Sequence, residues 1–172
     1  MRIALLMAIA VSLAVPAGTQ TTKGHVTDVF VGWAPFVGEN VALHEFRGWT
    51  MSLSGGTSGS LTPVFDLTGW YFGSGQSIHS FLGGARYRLL HAHRAAPFVQ
   101  IVAGPTIWHA GGTSFGLGLV PGGGIDAMFT DRRFGVRFEG DYFGTYSPGD
   151  YGRHYWGHVW RLSTGVVFMP NK

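Results

Sequence analysis

The sequence predicts an all-β chain that forms an eight-stranded antiparallel up-and-down transmembrane β-barrel, preceded by a signal peptide. Three observations support this prediction. Eight segments alternate between apolar and polar residues with a period of two, which is typical of strands with two unlike faces. Only 12% of the residues are charged, whereas about 25% is usual in soluble domains. Lysine occurs only at Lys23 and Lys172, and cysteine is absent.

The start of the chain has the organisation of a signal peptide. Met1-Arg2 supplies a positive charge, and the apolar run from Ile3 to Val15 follows it. Val15-Pro16-Ala17 then offers small or permissive residues for cleavage. The run is shorter than the ~20 residues that a membrane-spanning helix needs. We therefore expect the signal peptide at residues 1–17 and a single barrel domain at residues 18–172.

Eight predicted strands follow, and no helical period competes with them. In each strand one face is apolar, and the other carries Gly, Ser, Thr and isolated charges. The strand over 134–142 shows this most clearly, because Arg137, Glu139 and Asp141 alternate with aromatic and apolar residues. Most of these segments are close to the ~10 residues that cross a membrane as a tilted strand. The predicted strands cover residues 26–35, 48–54, 62–72, 79–89, 97–108, 115–129, 134–142 and 159–168.

The composition of the polar face favours a membrane barrel over a soluble one, although alternation alone fits both. This face has small residues and no lysine, which suits the narrow lumen that eight strands enclose. The apolar face carries aromatic residues near the strand ends, where a bilayer meets water. A soluble secreted barrel is the less favoured alternative. The residues expected to form this aromatic girdle are Trp33, Trp49, Tyr71, Tyr87, Trp108, Tyr142, Trp156 and Trp160.

Charged residues on the polar face are the candidate functional residues. Charges that leave bulk water persist when they are partnered, and one guanidinium can pair with two carboxylates. We therefore predict a charged network that plugs the lumen, with Arg161 near Glu139 or Arg137 because the last two strands are neighbours. A narrow, gated, low-conductance pore is the alternative for the same residues. The predicted network consists of Asp28, Asp66, Arg86, Arg88, Asp126, Arg137, Glu139, Asp141 and Arg161.

The connections indicate which end of the barrel faces outwards. The segments 37–47 and 143–158 are long, whereas 55–61, 90–96 and 130–133 are shorter and polar. Outer-membrane barrels have short periplasmic turns and longer outer loops, so the long segments are expected outside. The aromatic, glycine-containing segment 143–158 is a candidate surface for an extracellular ligand.

Four motifs carry a resemblance to a known family: His79-Ser80-Phe81-Leu82-Gly83-Gly84, Gly122-Gly123-Gly124-Ile125-Asp126, Arg137 to Tyr142 and Arg161 to Phe168. The whole chain after the signal peptide resembles the outer-membrane β-barrel domain family, the small eight-stranded barrels similar to the OmpA transmembrane domain and OmpX. The resemblance implies a monomer in the outer membrane of a Gram-negative bacterium, in contact with outer-membrane lipid, with a structural or interfacial role. The chain departs from the family in one respect, because Met169-Pro170-Asn171-Lys172 follows the last strand's Phe168.

Other function classes receive less support from the sequence. The net charge of +3 comes without a basic patch interleaved with aromatic residues, so we expect no nucleic-acid partner. Some small outer-membrane barrels modify lipids with a Ser/His pair, but His79 and Ser80 are adjacent and point to opposite faces of a strand. His91 and His93 have no third ligand nearby in sequence, so we expect no metal site. We therefore expect no enzyme activity and no cofactor.

Overall fold

Strands make up nearly all of the residues that the computed structural model describes. It describes residues 26–37, 47–55, 60–72, 75–89, 95–129, 133–148 and 154–170, so the predicted signal peptide lies outside the described part. Among these residues, no helix has the length and apolar character needed to cross a membrane. The strands are β1 (Val26–Trp33), β2 (Phe36–Val37), β3 (Arg47–Gly55), β4 (Leu61–Phe72), β5 (Gln76–Arg88), β6 (Ala95–His109), β7 (Thr113–Met128), β8 (Phe134–Pro148) and β9 (His154–Phe168).

The sheet closes on itself. From β3 to β9 each strand pairs antiparallel with the next one in the chain, β1 pairs with β3, and β9 pairs with both β1 and β2. β2 continues β1, because Trp33 pairs with Thr164 and Phe36 pairs with Arg161 in one unbroken register. Pro35 interrupts the ladder between them because proline has no backbone N–H. The structure is therefore a closed barrel of eight antiparallel strands.

The connections between strands lie at two opposite ends of the barrel. We call the end with the connections after β2, β4, β6 and β8 the loop end, and the opposite end, where β1 begins and β9 ends, the terminus end. The connection between β6 and β7 at the loop end is tight. Gly111 has a φ of 70° there, a left-handed conformation that glycine adopts without a steric penalty.

The outer face of the barrel is apolar and the inner face is polar at mid-height. Ile101 and Leu162 expose 53% and 49% of their surface to the surroundings. Their inward neighbours Gln100 and Arg161 are buried. A soluble barrel has the opposite arrangement, with its apolar residues inside. The distribution is that of a transmembrane barrel, as the sequence predicted.

The interior contains two apolar clusters separated by polar side chains. The cluster toward the loop end, here the upper cluster, is centred on Trp70, Phe36 and Phe143. The cluster at the terminus end, here the lower cluster, consists of Phe30, Met128, Val167 and Met169. The other members of the upper cluster are Val64, Ile78, Leu82, Val102 and Val120.

The loop predicted over 143–158 is much shorter than expected. β8 continues to Pro148 and β9 begins at His154, and these two residues pair with each other at the end of the ladder. Phe143 and Thr145 stay buried, so the alternation of β8 simply continues beyond the predicted strand end. The glycine, serine and proline residues of this stretch are typical of loops, but ladder pairing with the neighbouring strand stabilises them as strand. Only residues 149–153 between the two strands lie outside the described residues.

Candidate functional site

The barrel brings all nine predicted lumen residues into one cluster between the two apolar clusters. Four arginines reach it from β5, β8 and β9, and five carboxylates reach it from β1, β4, β7 and β8. Eight of the nine residues are buried, and Arg88 keeps 13% of its side chain exposed. We call these nine residues the charged cluster.

One half of the charged cluster is organised around Asp28. Its Oδ1 lies 3.1 Å from Nη1 of Arg86 and 3.2 Å from Nη2 of Arg137. Arg88 also pairs with this carboxylate, and the hydroxyl of Ser54 donates a hydrogen bond to it at 2.5 Å. Arg137 in turn donates to both oxygens of Asp126, at 2.6 and 2.9 Å. Such bidentate pairing fixes the relative orientation of the two side chains and also strengthens their attraction.

The other half is organised around Arg161. Its guanidinium lies 3.0 Å from Asp66, 3.1 Å from Glu139 and 2.7 Å from Asp141, so it serves three carboxylates at once. Asp141 is its direct partner in the β8–β9 ladder, whereas Asp66 reaches across the barrel from β4. The contact with Asp66 joins strands that do not pair with each other. Arg161 therefore ties opposite walls of the barrel together.

Gln100 joins the two halves and was not singled out from the sequence. Its Oε1 accepts hydrogen bonds from Arg86 at 3.1 and 2.8 Å. Its Nε2 donates to Glu139 at 2.8 Å and to Asp141 at 3.3 Å. An amide can donate and accept at the same time, so it connects a guanidinium to carboxylates. Alternation places Gln100 on the polar face, but nothing in the sequence indicates its partners.

Gly122 makes room for the charged cluster. It lies between Gln100 on β6 and Asp141 on β8 in the ladder, and its missing side chain leaves space for the Asp141 carboxylate. A Cβ atom at this position would lie 1.7 Å from Oδ1 of Asp141. The glycine of the predicted motif is thus required by the charged side chain beside it.

Two phenylalanine rings cover the arginines on the side of the lower cluster. The guanidinium carbon of Arg86 lies 4.4 Å from the ring centre of Phe98. That of Arg137 lies 4.9 Å from Phe98 and 5.0 Å from Phe30. Cations are attracted to aromatic faces at this range, and the rings also exclude water from the cluster.

A row of buried hydroxyl groups lies next to the charged cluster. Thr50 pairs with Thr68, and Thr68 pairs with Ser80, on β3, β4 and β5. Among the described residues, none of these three hydroxyls, nor that of Ser163, has a hydrogen-bond partner. Polar groups in such positions are costly to bury.

Six of the eight residues predicted to form the aromatic girdle are exposed on the outer face of the barrel. Trp108 turns inwards instead and packs against the upper cluster, so its assignment to the girdle was wrong. The physical reason is the strand period, because position 108 shares its face with Gln100 and Thr106. The side chain of Trp156 lies outside the described part of the structure. The six exposed residues of the predicted girdle are Trp33, Trp49, Tyr71, Tyr87, Tyr142 and Trp160.

The candidate catalytic and metal-binding residues do not form sites in the described part of the chain. The ring of His79 lies on the outer face, 5.6 Å from that of Tyr71, whereas Ser80 is buried inside. Gly112–Gly116 matches the Gly-x-Ser-x-Gly pattern of hydrolases, but it runs into β7 rather than forming a strand-to-helix turn. No group of three or more His, Cys, Asp or Glu residues within the described ranges could hold a metal ion. His91 and His93 lie outside those ranges.

Comparison with solved structures identifies the fold. The crystal structure of Neisserial surface protein A matches with a TM-score of 0.58 at 16% identity, over 84% of this chain and 96% of that chain. A de novo designed transmembrane β-barrel (TM-score 0.48, 12% identity, 87% and 98% coverage) and the Yersinia pestis outer-membrane protein Ail (0.47, 14%, 83% and 99%) are more distant matches. No protein-family model and no curated protein matches the sequence. The chain therefore has the fold of the eight-stranded outer-membrane β-barrels.

Proposed function

We propose that this protein is a sealed structural barrel of a Gram-negative outer membrane. The observation that carries the proposal is the filling of the lumen, where the charged cluster lies between two apolar clusters. The apolar outer face and the fold shared with Neisserial surface protein A support the location in the outer membrane. The terminus end would then face the periplasm and the loop end the outside.

The packing of the upper cluster supports a closed lumen. The rings of Phe36 and Trp70 are stacked with their centres 4.1 Å apart, and Phe143 meets the edge of Trp70 at 5.1 Å. The indole N–H of Trp70 donates to the carbonyl of Ala34 at 2.7 Å, which fixes the ring across the barrel. An ion that crossed the lumen would have to displace these rings and also separate the paired charges below them.

The charged cluster plugs the lumen in this proposal and holds the barrel in one register. A slip of one residue in β8 would turn Arg137 towards lipid, at a cost of ~2–4 kcal/mol near the midplane. It would also leave Asp28 and Asp126 without this partner. The network thus selects one arrangement of the strands and fills the space between them. Its role is structural, and the surfaces left for interaction are the outer connections.

Ion conductance in planar bilayers tests the proposal. We expect the folded protein to give no current above the lipid background, and the Glu139→Gln variant to give none either. A low-conductance pore is the alternative, and it would produce unitary steps whose size changes in Glu139→Gln. Folding of the inserted protein is checked in the same preparation by its heat-dependent mobility on SDS gels. Steps seen with wild-type protein would overturn the sealed barrel.

We also propose that the protein is a monomer without enzyme activity and that an extracellular ligand binds through the connection between β8 and β9. Since β8 extends to Pro148 and β9 begins at His154, this connection comprises residues 149–153. Deletion of residues 149–153 should abolish binding to cells or matrix without changing barrel folding.

The lipid A mass profile should be unchanged when the protein is overexpressed, and a lost or gained acyl chain would contradict the absence of enzyme activity.

A further inference from the structure

A small cavity opens at the loop end of the lumen, above the upper cluster. Its volume is about 150 Å³. Phe36 and Phe143 form part of its wall and belong to the upper cluster, so its inner boundary is the stacked aromatic core. The wall is completed mainly by Phe72, Ile78, Trp108 and Val159.

Two polar side chains of the cavity wall donate hydrogen bonds inside the barrel, whereas the ring of His158, which also lines the cavity, stacks on that of Tyr142 with the ring centres 6.0 Å apart. The hydroxyl of Thr145 donates to the carbonyl of Gly157 at 3.4 Å. The indole N–H of Trp108 donates to the hydroxyl of Thr106, also at 3.4 Å. What the wall offers to an occupant is therefore almost entirely carbon, from three phenylalanines, a tryptophan and branched aliphatic side chains.

We infer that this cavity is a binding site for a molecule with a single aromatic ring. An apolar cavity of about 150 Å³ is large enough for benzene. Aromatic rings gain from edge-to-face and offset contacts, which Phe72, Trp108 and Phe143 are placed to provide. The site lies at the loop end of the lumen, apart from the charged cluster, and does not depend on whether the lumen conducts.

Isoleucine methyl groups provide an internal comparison for a binding experiment. Ile78 lines the cavity, whereas Ile101 and Ile125 are exposed on the lipid-facing side, 53% and 40% respectively. The protein is labelled with carbon-13 at isoleucine methyls, placed in lipid nanodiscs and titrated with benzene. We expect the Ile78 signal to shift and saturate, while Ile101 and Ile125 respond only to benzene dissolved in the lipid.

Two matched variants on β9 complete the test. Val159→Phe fills the cavity, whereas Val166→Phe adds the same ring on the outer face, where Val166 is 55% exposed. Val159→Phe should weaken benzene binding at least about tenfold, and Val166→Phe should leave it unchanged. An Ile78 response that never saturates, or equal binding by both variants, would overturn the site.

A third variant, Phe72→Leu, keeps the binding site testable if Val159→Phe does not fold. Phe72→Leu enlarges the cavity without adding bulk, so larger rings should fit better. We expect the affinity for naphthalene relative to benzene to rise at least about fivefold in this variant. An unchanged ratio would show that the Ile78 response does not come from ligand in this cavity.

Discussion

Replacing Arg161 by methionine is the sharpest perturbation of the charged cluster. Methionine keeps much of the side-chain length but removes the contacts with Asp66, Glu139 and Asp141, which are 3.0, 3.1 and 2.7 Å long. All three carboxylates are buried and would lose their shared partner. Breaking a buried ion pair from one side typically costs about 3–5 kcal/mol, because an uncompensated charge stays behind. We expect Arg161→Met to lower the free energy of unfolding by at least that amount.

The assay is equilibrium unfolding by urea in lipid vesicles, followed by tryptophan fluorescence. Arg47→Met is the matched control, because Arg47 is exposed at the start of β3 and its loss should change stability by less than about 0.5 kcal/mol. In a protein that already carries Asp66→Asn, Arg161→Met should cost less, since residues in one network are not additive. Equal, small effects of Arg161→Met and Arg47→Met would refute the reasoning that this arginine ties the barrel walls together.

Three further predictions use the same unfolding assay. Gly122→Ala should destabilise the barrel by about 1–3 kcal/mol because its Cβ would overlap the Asp141 carboxylate, whereas Gly83→Ala, with nothing within 4 Å, should be neutral. Equal effects of the two would contradict the close approach. Thr68→Val should be neutral or stabilising because the buried hydroxyl has no partner among the described residues, and a loss above about 1 kcal/mol would contradict this. Ile101→Arg should cost ~2–4 kcal/mol if this exposed position faces the bilayer centre, and no loss would contradict a lipid-facing surface.

The faces of the strands were predictable because the period of two is fixed by backbone geometry. Once the polar face was assigned to the lumen, Arg137 and Glu139 had to lie inside and Phe138 outside, as the structure shows. The same rule places Trp108 inside, although its residue type and its position near a strand end are typical of an outer aromatic girdle. Residue type indicates where a tryptophan is common, whereas the period decides which way this one points.

Other features depend on tertiary packing and could not be predicted from the sequence. The pairing of Arg161 with Asp66 joins β9 to β4, and only the closure and tilt of the barrel bring them together. The central position of Gln100 has the same origin. The continuation of β8 to Pro148 and the start of β9 at His154 could not be predicted either, because mutual pairing stabilises a stretch whose composition is typical of a loop.

The most direct test of the inside-out arrangement compares two tryptophans with opposite orientations. Trp49 is 41% exposed on the outer face, whereas Trp70 is completely buried in the lumen. Proteins that retain only one of these tryptophans, with the others replaced by phenylalanine, are placed in vesicles whose lipids carry bromine near the upper acyl chain. The structure predicts strong quenching of Trp49 fluorescence by the brominated lipid and little quenching of Trp70. Equal quenching of both, or quenching of Trp49 only by a water-soluble quencher, would contradict a barrel with its apolar face in lipid.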